Sequence, residues 1–127
     1  MSGDLNELTE KIIGSAIKVH RELGPGLLES AYETCLAFEL SDTGLMVERQ
    51  KSLPVIYRGI HLECGYRLDL VVERKIILEL KTVEKLSTIH SAQLLSYLKL
   101  SGLKIGLLMN FHSQLLKNGV QRIVNEF

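Results

Sequence analysis

Apolar positions recur at three- and four-residue steps through the first part of the chain. Leu8, Ile12, Ile13, Ala16, Val19 and Leu23 make one stripe, which predicts an amphipathic helix from Leu5 to about Leu23. Gly24-Pro25-Gly26 ends it, because proline cannot continue a helix and glycine tolerates the turn. Leu28, Ala31, Tyr32, Cys35, Leu36 and Leu40 mark the inner side of a second helix from about Leu27 to Ser41, closed by Gly44.

The pattern then changes to that of strands. Val47–Tyr57 has strand character, and Arg58-Gly59 makes a turn into Ile60–Glu63. Tyr66–Val72 and Ile76–Val83 are rich in β-branched and aliphatic residues, with the polar Glu73-Arg74-Lys75 between them. Ser87 suits the N-cap of a third helix reaching about Leu100, with Gly102 as its stop. Lys104–Asn110 reads as a buried strand and Val120–Val124 as a short final one. Helix, helix, antiparallel strands, helix, strand, strand predicts an α/β sandwich on a mixed sheet and argues against an all-helical fold.

With 127 residues, no internal repeat and no linker, a single domain spanning 1–127 is expected. Hydrophobic residues at 46% and charged residues at 24% are globular proportions, which sets disorder aside. No apolar run approaches the roughly 18–20 residues that span a bilayer. The first residues lack the basic start and apolar stretch of a secretory signal. Cys35 and Cys64 lie far apart without CxxC spacing and are read as free thiols, so the expected setting is the cytoplasm, with no membrane partner. Fifteen basic residues balance fifteen acidic ones. Because phosphate binding draws mostly on Lys and Arg, tight nonspecific nucleic-acid binding is not expected; weak binding, or work with a partner, is compatible.

The candidate chemistry lies in Tyr66–Val83. Side chains alternate along a strand, so Glu79 and Lys81 project together while Leu78 and Leu80 point the other way. A three-residue Glu73-Arg74-Lys75 loop brings Asp69 opposite Glu79, whereas a two-residue loop puts it on the wrong face. Two carboxylates and a lysine on one face suit Mg²⁺ or Mn²⁺, which keep several waters and bridge to substrate phosphate. A cross-strand salt bridge of Lys81 with Asp69 or Glu79 is the competing reading of the same hairpin. On the third helix His90, Gln93 and Tyr97 share a face, fit either to hydrogen-bond a phosphate or to sit with Tyr97 in the core and the others at its rim. Glu29 and Tyr32 are neighbours near the start of the second helix, where the helix dipole favours a carboxylate in any case.

Other chemistries find little support. His20, His61, His90 and His112 lack HxxxH or HExxH spacing, which argues against zinc. There is no GxSxG, and Gly24-Pro25-Gly26 lacks the GK[ST] end and preceding strand of a phosphate-cradling loop.

Gly26-Leu27-Leu28-Glu29-Ser30-Ala31-Tyr32, with the preceding Val19–Pro25, closely resembles the family named for the motif GxxExxY. That family is grouped with the PD-(D/E)XK nuclease superfamily, and the likeness runs from the first helix to about Asn110. Asp69, then Glu79-Leu80-Lys81, matches the superfamily's D…ExK elements. Gln93–Tyr97 resembles the QxxxY element of its exonuclease-like branch, and Glu29 the acidic residue of its first core helix. Leu68 stands where the superfamily name has proline. The resemblance implies a restriction-endonuclease-like core, a three-layer α/β/α sandwich with a central mixed sheet. It also implies a Mg²⁺ (or Mn²⁺) site in which Asp69, Glu79, the Leu80 carbonyl and Glu29 hold the metal. Lys81 would then position the attacking water, Gln93 and Tyr97 would orient Lys81 or a phosphate, and His90 and Lys85 would contact substrate. The implied activity is hydrolysis of phosphodiester bonds in DNA. So short a chain leaves little surface for target recognition, which makes a protein partner or a homo-oligomer an expectation too. The alternative is a catalytically inactive nuclease-fold module that binds nucleic acid or a protein.

Overall fold

The computed structural model describes residues 2–126, with side chains from Leu5 to Glu126. Its elements are α1 (Ser2–Leu23), α2 (Glu29–Asp42), β1 (Val47–Tyr57), β2 (Ile60–Val72), β3 (Ile76–Lys81), α3 (Thr88–Ser101), β4 (Ile105–Asn110), a 3₁₀ turn (Leu116–Gly119) and β5 (Val120–Val124). The sheet runs β1-β2-β3-β4-β5, parallel only between β3 and β4. A parallel pair needs a crossover, and α3 supplies it. No helix among the described residues is long and apolar enough to cross a membrane.

Two cores flank the sheet. Leu8, Ile12, Ala16 and Val19 of α1 and Tyr32, Leu36 and Leu40 of α2 pack on Leu70, Ile76, Leu78, Leu80, Leu107 and Met109. On the other face Leu94, Tyr97 and Leu98 of α3 pack on Leu53, Leu68, Val71, Ile77 and Leu108. This is the three-layer α/β/α arrangement, with a restriction-endonuclease-like order of elements. Strands β3 and β4 are covered on both faces, so they read as continuous apolar runs rather than alternating ones. Gly106 lets α3 approach β4 closely: a Cβ there would stand 2.9 Å from the Leu94 side chain.

Several boundaries differ from the sequence expectation. The segments Ile60–Glu63 and Tyr66–Val72 form one strand, since Gly65 takes a left-handed φ of 80° and carries β2 through. Helix α2 begins at Glu29 rather than Leu27, leaving Leu27 and Leu28 exposed in the entry loop. Strand β3 stops at Lys81, and the 3₁₀ turn has no counterpart in the hydrophobic pattern. Pro54 sits where the β1–β2 register shifts, between Leu53 and Val55, as a residue without a ladder N–H requires. Beyond that shift the β1–β2 ribbon extends as an exposed arm, because β3 pairs with β2 only over Leu70–Val72.

Candidate active site

The site begins where the β2–β3 ladder stops. Val72 pairs with Ile76 across Glu73-Arg74-Lys75, and the register continues through Leu70↔Leu78. The loop has no glycine, yet Glu73 and Arg74 both adopt left-handed φ of 54°. One step further along, Asp69 faces Glu79, and the side chains take over from the backbone. The Asp69 N–H donates to Glu79 Oε2 at 2.9 Å, and the Leu80 N–H donates to Asp69 Oδ2 at 2.9 Å. Leu68 and Val71, three apart, both pack in the α3-side core, so regular alternation fails around Asp69.

Ile76, Leu78 and Leu80 face α1 and α2, which puts Glu79 and Lys81 on the α3 side. Glu79 is only 5% exposed. Burial, then the neighbouring Asp69 carboxylate, push its carboxyl up to about 8, and the charge of Glu29 adds to the rise. The Asp69 N–H and Lys81 oppose it. Asp69 is raised as well, chiefly by burial and also by Glu33, against hydrogen bonds from Leu80 and Gln50 and the charge of Lys81. Lys81 therefore acts on both carboxylates electrostatically. It makes no ion-pair contact with either among the described residues, so the cross-strand salt bridge is not formed.

Tyr97 is buried over this pair and packs against Tyr66 with ring centroids 5.8 Å apart. Burial raises its phenol above the usual range, and the charges of Glu79 and Asp69 add to that. Gln93 lies exposed one turn earlier on α3. His90 is taken up at the helix start, where its Nδ1 accepts the Ser87 N–H at 3.0 Å. Lys85 is exposed on the wall of a separate cleft with Asn110, Ser113 and Gln121. Glu29 reaches the end of β3, its Oε2 accepting from the Thr82 N–H at 3.2 Å and the Thr82 hydroxyl at 3.4 Å. The other motif residue, Tyr32, turns to the loop before α2. Its hydroxyl accepts the Gly26 and Leu27 N–H groups at 3.0 and 3.1 Å and donates to the Gly24 carbonyl. Its ring stacks on Phe111 at 4.5 Å.

Two further residues complete the surroundings of Asp69. Gln50 lies opposite Asp69, outside the β1–β2 pairing, with a left-handed φ of 47°. Its amide donates to Glu33 Oε1 at 2.6 Å and to Asp69 Oδ1 at 3.4 Å. Glu33, buried on α2, is also held by Arg49 at 3.2 Å. The one sequence signal for Glu33 is its place four residues after Glu29, on the same helix face.

No group of three or more His, Cys, Asp or Glu side chains capable of holding a metal occurs among the described residues. The donor set is two carboxylates, Glu79 buried and Asp69 half-buried, and like charges side by side favour a cation between them. Such a set fits Mg²⁺, which is commonly bound by one or two carboxylates and keeps several of its waters.

A family model described as the PD-(D/E)XK nuclease superfamily matches residues 6–123. No curated protein and no solved structure matches the chain.

Proposed function

Because the chain belongs to the PD-(D/E)XK nuclease superfamily, we propose that it hydrolyses phosphodiester bonds in DNA with Mg²⁺ or Mn²⁺, at Asp69, Glu79 and Lys81. The observation that carries this reading is the pairing of half-buried Asp69 with buried Glu79, with Lys81 on the same strand face. Asp69 and Glu79 would hold the cation, with the Leu80 carbonyl as a further ligand and Glu29 acting directly or through water. When bound, such a cation supplies an activated water and offsets charge on the phosphate. Lys81 orients the water, whose oxygen attacks phosphorus as the bond to the leaving sugar oxygen breaks. Gln93 and Tyr97 of α3 would orient Lys81 or the phosphate, and His90 would contact substrate; a substrate that also meets Lys85 would have to reach into the cleft that Lys85 lines.

The test is metal-dependent cleavage of linear and circular DNA by the wild-type chain, Glu79→Ala and Lys81→Ala. Cleavage that survives both substitutions overturns the assignment.

A second reading, a non-catalytic binding module, draws on the way backbone N–H groups already engage both carboxylates. Titration with Mn²⁺ separates the two, since a cation that binds the native state must raise its stability. No rise in unfolding temperature favours the module.

A further inference from the structure

A cavity of about 360 Å³ lies on the α1–α2 side, between the last turn of α1, the Gly24-Pro25 loop and the segment entering the 3₁₀ turn. Its size is at the small end of the roughly 300–1,000 Å³ usual for small-molecule sites. His20, Arg21, Gln114 and Lys117 supply its polar wall, and Ile17 and Leu116 part of its apolar one. No Asp or Glu lines it. Arg21 and Lys117, from segments far apart in the chain, make no ion pair among the described residues.

His20 also lines the cavity, with a ring only 5% exposed that leans on Phe111 at a centroid distance of 6.1 Å. Its Nε2 is shut off from the cavity and has no hydrogen-bond partner among the described residues, so the ring serves as wall rather than as a donor. The α1 dipole accounts for basic residues in its last turn. It does not account for Lys117, which comes from a different segment.

We propose that this cavity binds a phosphate group, with Arg21 and Lys117 neutralising its charge and Gln114 hydrogen-bonding its oxygens. Two cations and an amide with no opposing carboxylate form a donor-rich wall that matches a compact oxyanion. The apolar remainder suits an organic group attached to it. The phosphate is carried either by a small molecule such as a mononucleotide or by the end of a nucleic-acid strand. Because Phe111 and the α1–α2 core lie across the sheet from Lys81, this site is separate from the Asp69–Glu79 pair and does not depend on its activity.

The test is calorimetric binding of inorganic phosphate and of thymidine monophosphate to the full chain, with EDTA present and ionic strength matched by chloride. Saturable binding is expected, with a loss of about tenfold in affinity for Arg21→Ala and for Lys117→Ala, the yield of one charge-assisted hydrogen bond. Lys117→Arg restores it, and both alanine sites are exposed enough for the fold to survive. In a Lys81→Ala background, competition by a 5′-phosphorylated oligonucleotide but not its 5′-hydroxyl form assigns the site to strand ends. Competition by the mononucleotide alone assigns it to a small molecule. Absence of saturable phosphate binding, or binding unchanged in both alanine variants, overturns the proposal. Metal-free phosphate binding and metal-dependent cleavage are separate readouts, so either reading fails without the other.

Discussion

Asp69 and Glu79 face one another across β2 and β3, and the Asp69 N–H is bonded to the Glu79 carboxylate at 2.9 Å. A backbone donor that elsewhere in the ladder meets a carbonyl is here turned to a side chain. The two strands thus part around one buried and one half-buried carboxylate. Burial raises both; the Asp69 charge lifts Glu79 further, to about 8, and Glu33 lifts Asp69.

Glu79 is therefore mostly protonated at neutral pH in the metal-free protein. Its pKa is raised on folding, so its contribution to stability is fully present below about 4.5, the unfolded value, and is lost as pH rises to about 8. The loss is on the order of 3–5 kcal/mol. Urea unfolding across that window is expected to show a decline that Glu79→Gln abolishes. Divalent-cation affinity moves the other way, rising with pH up to about 8 with release of a proton, because the ligand must ionise. Calorimetry in buffers of different ionisation enthalpy measures that proton; its absence contradicts a protonated Glu79.

Glu33 holds its neighbour up as well. Its charge raises Asp69, while Gln50 bridges the two carboxylates and Arg49 pairs with Glu33. Glu33→Gln is expected to lower the Asp69 titration midpoint, read from its carboxyl carbon resonance. An unchanged midpoint removes Glu33 from the site's electrostatics.

Glu33 and Gln50 also mark how far the sequence carries the argument. The Asp69–Glu79 register follows from local facts, two apolar runs and a polar loop of three. So does the sharing of a face by Glu79 and Lys81. Gln50 meets Glu33 across 17 residues and Asp69 across 19. Its left-handed backbone is set by tertiary packing and leaves no mark in local propensity. Nor does spacing show that His90 Nδ1 engages Ser87, since position on a helix face does not fix where an imidazole turns. The joining of two expected strands into β2 hinges on Gly65, which reads equally as a break.

Tyr32 tests whether the motif spacing of Gly26, Glu29 and Tyr32 serves structure or chemistry. Its hydroxyl ties Gly24, Gly26 and Leu27 into one loop, fixing the approach to α2 and hence Glu29. Tyr32→Phe keeps the stack on Phe111 and is expected to cost about 1–3 kcal/mol in urea unfolding. Divalent-cation affinity should change little. A stable variant that loses cation binding would place the phenol in the site instead.

The position of α3 over the carboxylates depends on Gly106, whose missing Cβ makes room for Leu94. Leu94 and Tyr97 are three apart on that helix, so displacing one shifts the other over Glu79. Gly106→Ala puts a methyl 2.9 Å from Leu94 on a strand buried on both faces. Overpacking of this kind costs about 1–3 kcal/mol. Leu94→Ala alone costs about 2–5 kcal/mol by leaving a cavity. Combined, they should cost less than their sum, because the added methyl fills part of the space that the leucine vacates. The cycle has a second readout, the titration midpoint of Tyr97, which falls if α3 lifts away from Glu79 and Asp69 and exposes the phenol. Strict additivity of the two substitutions, with Tyr97 unmoved, would show that Gly106 does not set the height of α3.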